Sequence, residues 1–159
     1  MPSVKIVRFT PGRGPDFERL NIEWLERWFT VEEFDRVMLG DPEQHILAPG
    51  GQVFFADDEA GSALGTVALR HEGAGVYELT KMAVAPAARG RGVGRLLAEA
   101  AVEEFQALGG RHLYLETNDL LLPAIALYKS LSFEDRPLRA ESHYGRANVH
   151  MVWAGGPSS

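Results

Sequence analysis

The segment ELTKMAVAPAARGRGVGRLL, from Glu78 to Leu97, constrains this chain more than any other. A strand-like run meets a glycine-rich turn, and the turn opens directly into a helical pattern. Such a junction aims several backbone N–H groups and the positive end of a helix dipole at one spot, which suits a diphosphate. Glycine at 90, 92 and 94 removes side chains that would keep a phosphate off the backbone. Arg89, Arg91 and Arg95 add local positive charge to a chain whose formal net charge is −6.

The spacing excludes two phosphate motifs. A dinucleotide fingerprint G-x-G-x-x-G would need glycine at 95, where Arg95 stands, and the Gly-Lys-Ser/Thr ending of a nucleotide-hydrolase loop is missing. The pattern that fits is R-x-x-G-x-G, on Arg89, Gly92 and Gly94. Downstream, residues 113–118 (LYLETN) read as a strand, followed by AIALYKSLSF at 124–133. With these two blocks the chain resembles the GCN5-related N-acetyltransferases, which move an acetyl group from acetyl-CoA to an amine. The resemblance covers roughly residues 76–134, where a strand ending in asparagine precedes a helix of the form A-x-x-L-Y-x-x-x-G-F. Ser132 stands in place of the usual glycine, at a helix C-cap where glycine relieves left-handed strain.

Length and composition fit a single globular domain. The chain has 159 residues, 45% of them hydrophobic, enough for one domain with a full core. We expect an N-acetyltransferase domain over 1–154 and a flexible tail over 155–159. The acidic balance argues against nucleic acid as partner and favours a cationic acceptor. The chain has no cysteine, which excludes disulfides and an acyl-cysteine intermediate. Five histidines, at 45, 71, 112, 143 and 150, lack the close pairing of a metal site, so no metal is expected. Neither a signal-peptide layout nor a membrane-length apolar run appears, and the expected location is cytoplasmic, with no membrane partner.

Along the chain, residues 4–9 alternate as a half-buried strand. A Pro/Gly loop follows, with Asp16 as the cap of a helix carrying Phe17, Leu20, Asn21, Trp24, Leu25 and Trp28 at helical spacing. A second helix is expected over 31–39, capped by Thr30 with Glu33 completing a capping box. Strands at 52–56, 63–71 and 76–84 form an antiparallel meander. The helix after the glycine turn places Val93, Leu96, Leu97, Ala100, Ala101, Phe105 and Leu108 on one face. The 113–117 strand, a helix around Tyr128 and closing segments at 133–138 and 143–153 complete the order β-α-α-β-β-β-α-β-α-β-β. That order is the one the resemblance implies, the acetyltransferase (GNAT) fold, expected as an α/β sandwich with a mixed central sheet flanked by helices.

Transfer to an amine needs a base, because a lysine-like ammonium of pKa ~10.4 has no lone pair. It also needs a donor for the thioester oxyanion. The resemblance makes Glu78, on the strand entering the turn, the candidate base. Glu116, which shares a strand face with Asn118, competes for that role, as does a water chain. Tyr128 corresponds to the family tyrosine whose hydroxyl approaches the CoA sulfur, and is the candidate acid. The turn residues Arg89, Gly90, Arg91, Gly92, Val93, Gly94 and Arg95 would hold the CoA diphosphate. The backbone of Met82, Ala83 and Val84 would pair with pantetheine and polarise the thioester carbonyl, and Asn118 would bond the pantetheine arm. Asn21, Glu23, Trp24 and Tyr144 are available to the amine site, and the final strand has two roles open, the pocket wall or the edge of a homodimer. The implied function is direct acetyl transfer to a primary amine of a small molecule or protein. The alternatives are a non-catalytic acyl-CoA-binding or sensor domain, and an interaction protein with an incidental glycine turn.

Overall fold

A computed structural model describes residues 3–138 and 145–155. Seven strands form one sheet: β1 (Lys5–Arg8), β2 (Gln52–Asp57), β3 (Ala63–Gly73), β4 (Val76–Val84), β5 (His112–Thr117), β6 (Phe133–Arg136) and β7 (Val149–Trp153). Their order across the sheet is β1-β2-β3-β4-β5-β7-β6. All neighbours are antiparallel except β4 and β5, which run parallel. Helices α1 (Gly14–Trp28) and α2 (Glu33–Gly40) come between β1 and β2, α3 (Val93–Ala107) between β4 and β5, and α4 (Leu122–Ser130) between β5 and β6. Short helical turns at Glu43–Leu47 and Pro86–Ala88 complete the described elements. No helix among the described residues is long and apolar enough to cross a membrane.

Two apolar layers sandwich the sheet. One holds Val67, Leu69, Leu79 and Leu113 against Val93, Leu97, Ala101 and Phe105 of α3. The other holds Val53, Phe55 and Ala68 against Phe17 and Leu25 of α1 and Met38 and Leu39 of α2. Each fully buried Leu or Phe contributes about 1.5–3 kcal/mol.

Several boundaries differ from the expected ones for local reasons. Helix α1 starts at Gly14, with Pro15 in its first turn and no side-chain cap. Asp16 lies inside that helix and binds Arg13. The capping box of α2 falls two residues later than expected, on Glu32 and Asp35 rather than Thr30 and Glu33. Leu96 and Leu108 are exposed, so the buried face of α3 is narrower and centres on Leu97, Ala98 and Ala101. Ser132 does take the left-handed conformation expected after α4, with φ 79°. The first of the two closing strands ends at Arg136 and the second begins at Val149. Tyr144 and residues 156–159 lie outside the described residues.

Two irregularities in β4 create the site. In the described residues its parallel pairing with β5 stops at Glu78↔Tyr114, so the two strands separate from there onward. Against β3, the register passes from Ala68↔Thr80 to Thr66↔Ala83. Two steps on β3 therefore face three on β4, which is a bulge. Lys81 sits in it with φ 56°, a left-handed conformation costing about 1–2 kcal/mol for a side chain other than glycine.

Candidate active site

The separation of β4 and β5 opens a cleft of about 630 Å³. It reaches from the glycine turn and α4 on one side of the sheet to Asn21, Trp24 and Phe29 of the α1 region on the other. Of the residues singled out from sequence, it is lined by Met82, Val84, Arg89, Gly90, Gly92, Val93, Gly94, Arg95, Glu116, Asn118 and Tyr128. Glu78, Ala83 and Arg91 are not in its wall, and Glu23 is an exposed residue of α1 outside it.

At one end, Gly92 is the N-cap of α3. The first bond within this helix is from Leu96 N–H to the Gly92 carbonyl, so the amides of Val93, Gly94 and Arg95 have no partner within the helix. The glycines play different parts. Gly90 and Gly92 have φ 76° and 75°, which favours glycine, and a Cβ on either would meet nothing within 4 Å. Gly94 has no positive φ, and a Cβ there would touch Leu127 Cδ2 at 3.6 Å and Met82 Sδ at 3.7 Å. The turn is therefore an open, amide-rich concavity beside a helix N-terminus, with Arg89 and Arg95 in its wall. Arg95 Nη2 donates to Ser130 Oγ of α4 at 2.7 Å.

Tyr128 projects from α4 into the cleft wall, 7% exposed and edge-on to Phe133. Burial pushes its phenol up to about 12. Asn118 ends β5 in a turn: its Oδ1 accepts from Leu120 N–H at 2.8 Å and its Nδ2 donates to the Arg146 carbonyl at 2.7 Å. The side chain thus fixes the turn and the segment before β7.

The two candidate carboxylates share one face of the sheet. Glu78 is 1% exposed and accepts from Arg70 Nε at 3.0 Å. Burial pushes it above the usual carboxylate range, and Arg70 opposes that rise. Arg70 also donates to Glu72 Oε1 at 2.6 Å, an oxygen that accepts from the Tyr114 hydroxyl as well. Glu116 borders the cleft and places Oε2 3.5 Å from His150 Nδ1, and His150 stacks on Tyr114.

The sequence reading missed a buried ionic cluster. Lys81, in the cleft wall, donates to Asp35 Oδ1 at 2.7 Å. Asp35 is fully buried and also receives Arg146 Nη1 at 2.8 Å, Arg146 Nη2 at 2.9 Å and Glu32 N–H at 2.9 Å. Burial pushes the Asp35 carboxyl up, but Arg146, Lys81 and the Glu32 amide outweigh it and hold it at about 2. Arg146 donates to Glu32 Oε2 too, at 2.8 Å. One signal was available: Lys81 lies two residues after Leu79, so period-two alternation would bury its charge against α3. No group of three or more His, Asp or Glu among the described residues could hold a metal ion.

The comparisons with known proteins agree with this architecture. The model of the Acetyltransferase (GNAT) family matches residues 17–133. An uncharacterized N-acetyltransferase of Schizosaccharomyces pombe is 36% identical over 122 residues, 75% of each chain. The IAA acetyltransferase of Azospirillum brasilense is 35% identical over 146 residues, 86% of this chain and 88% of that protein. A GNAT-family acetyltransferase structure from Staphylococcus aureus superposes with a TM-score of 0.85 at 18% identity, covering 94% of this chain and 98% of that one. A phosphinothricin acetyltransferase from Sinorhizobium meliloti, solved in complex with AcCoA, superposes with a TM-score of 0.77 at 18% identity, over 98% of this chain and 93% of that one. The splayed strands, the glycine turn at the head of α3 and the family match over most of the chain place this protein in the GNAT acetyltransferase family.

Proposed function

We propose that the protein transfers an acetyl group directly from acetyl-CoA to a primary amine of a small molecule or protein. The observation that carries this reading is the cleft between β4 and β5, which ends at the unpaired amides of α3 and has Tyr128 buried in its wall. The diphosphate lies over Gly90–Arg95, where backbone N–H groups, the helix dipole and Arg89 and Arg95 meet it. The pantetheine arm follows the edge of β4 at Met82–Val84 as an added strand would, with Asn118 facing it across the gap. The AcCoA held by the Sinorhizobium meliloti protein, which shares this fold, supports that cosubstrate.

The amine nitrogen attacks the thioester carbonyl carbon, the C–S bond breaks and CoA leaves as its thiolate. The backbone of β4 at the bulge supplies donors to the oxyanion. Tyr128, held near 12 by burial, keeps its proton against a thiolate of pKa about 8.5, so it stabilises the leaving sulfur by hydrogen bonding. The proton lost by the acceptor goes to a carboxylate. Glu116 takes that role because it borders the cleft. A second reading assigns it to Glu78 through a water, and the raised pKa of Glu78 favours this one.

A thiol-release screen of acetyl-CoA against a broad amine library tests the proposal. Amine-dependent CoA release supports it. CoA binding without release across the library would favour a non-catalytic acyl-CoA sensor, and no CoA binding would overturn both.

A further inference from the structure

We infer that the buried ion pair of Lys81 and Asp35 is the clamp that shapes the β4 bulge and so aims the Met82–Val84 backbone at the thioester. Both are positioning residues for the transfer. The inference rests on the reading above, in which this backbone meets the cosubstrate.

The argument starts from strand alternation. Leu79 faces the α3 layer. With regular pleating Lys81 would follow it there, into an apolar cluster containing Val93 and Leu97. The extra residue in β4 and the left-handed φ of 56° turn Lys81 to the opposite face, where α2 presents Asp35. The bulge and the ion pair therefore require one another. A regular strand would move the ammonium away from its carboxylate, and losing one partner of a buried pair is strongly unfavourable.

Asp35 itself is fixed by three separate parts of the chain: β4 through Lys81, the segment before β7 through Arg146, and the head of α2 through the Glu32 amide. An anchor so held leaves Lys81 little freedom. The bulge lies just past Glu78, the last β4 residue paired with β5, and just before the Met82–Val84 stretch whose backbone meets the cosubstrate in that reading. Its shape sets both the width of the cleft and the direction of the next amides. Elsewhere β4 stays in regular register with β3 over 76–80 apart from a shift near the hairpin, so the device is confined to the reacting end of the strand.

The test needs no acceptor. Acetyl-CoA carrying 13C at the thioester carbonyl is bound to wild type and to Lys81→Met, Lys81→Gly and Lys81→Arg, and the carbonyl stretch is read by difference infrared spectroscopy. Donors aimed at this oxygen lower the wild-type frequency. In Lys81→Met about half or more of that shift is expected to vanish, while affinity for CoA lacking the acetyl group stays within about threefold, because the diphosphate site is untouched. Lys81→Gly is expected to recover only part of the shift, since glycine adopts the left-handed bulge without strain but has no ammonium to hold it to Asp35. Lys81→Arg is expected to recover it by keeping the ion pair. If Lys81→Met does not fold, Lys81→Gln makes the same comparison. With an acceptor from the amine screen, kcat of Lys81→Met should fall about tenfold with acceptor KM within about threefold. A full shift in Lys81→Met would overturn the clamp. So would a Lys81→Arg protein as impaired as Lys81→Met, because restoring the ion pair would then not restore the aim of the strand. Wild type that binds no acetyl-CoA would overturn the transfer reading along with the clamp, whereas bound acetyl-CoA with an unshifted carbonyl overturns the clamp alone.

Discussion

The glycine turn meets its ligand with backbone. Gly90 and Gly92 hold left-handed conformations, and the amides that follow belong to one continuous stretch of chain. The cluster around Asp35, on the other face of the sheet, uses side chains instead. Its members come from α2, β4 and the segment before β7, with Lys81 46 positions and Arg146 111 positions along the chain from Asp35. The turn is exposed and depends on absent side chains. The cluster is buried and depends on charges compensating one another. A cosubstrate common to a family can be held by a local motif, whereas the part that shapes the cleft for this chain is assembled over long range.

The largest effect should come from breaking the turn. Gly92→Val places a branched side chain at φ 75°, a conformation such residues resist, so the turn must shift from the shape that presents its amides. Affinity for acetyl-CoA should fall about 100-fold or more, equivalent to two charge-assisted hydrogen bonds at roughly 1.5–3 kcal/mol each. Calorimetry measures it, and circular dichroism checks that the fold remains. A folded variant with unchanged affinity would remove the basis for the diphosphate site. Gly94→Ala is the milder control, because its Cβ makes only ordinary contacts at 3.6 and 3.7 Å.

Next is Tyr128→Phe. Only the hydroxyl goes, so acetyl-CoA affinity should hold, while the rate falls about 10- to 100-fold through loss of one hydrogen bond to a developing thiolate. An unaltered rate, with chemistry shown to be rate-limiting, would leave Tyr128 as a packing residue against Phe133.

The cluster can be broken by acid. Asp35 is held at about 2, below its unfolded value of about 4, so its contribution to stability is fully present above about pH 4 and is lost as pH falls through about 2. The shift corresponds to about 2 kcal/mol. Denaturant unfolding between pH 2 and 7 should show Asp35→Asn less stable at pH 7 by about that amount, with the gap closing toward pH 2. A constant gap across this range would mean that the carboxylate charge is not what stabilises the cluster.

The same division explains what could be read from the sequence. The glycine turn and the strand Val76–Val84 are local consequences of residue type and were legible, and the left-handed conformation at Ser132 was legible through the resemblance, which puts glycine there. The α2 cap was misplaced because Thr30 and Glu33 offer the same local pattern that Glu32 and Asp35 fulfil, and only tertiary pairing of Asp35 decides between them. The splay of β4 from β5 has no signature in residue type. The ionic cluster was missed because Asp35 reads as a helix-surface carboxylate until Lys81 and Arg146 are brought to it. Lys81 was the readable clue, a lysine on the inward phase of a buried strand.

The smallest expected effect bears on the carboxylates that lie between the two regions. Glu116 borders the cleft, and Glu78 sits behind it against Arg70. If one of them removes the acceptor proton, its replacement by glutamine should lower the rate about tenfold or more near neutral pH. The defect should shrink as rising pH supplies neutral amine from solution, because an acceptor already deprotonated needs no base. Glutamine matches glutamate in size, but the two variants are not equivalent controls. Glu78→Gln also leaves Arg70 with one fewer anion, so its melting temperature should drop more than that of Glu116→Gln. The measurement is rate against pH for wild type and both variants, with the acceptor found in the amine screen. A defect in Glu116→Gln that closes with pH, beside a parallel profile in Glu78→Gln, assigns the base to Glu116. The reverse assigns it to Glu78 through water. Parallel profiles in both variants would leave a water chain to take the proton, and would separate this chemistry from both carboxylates.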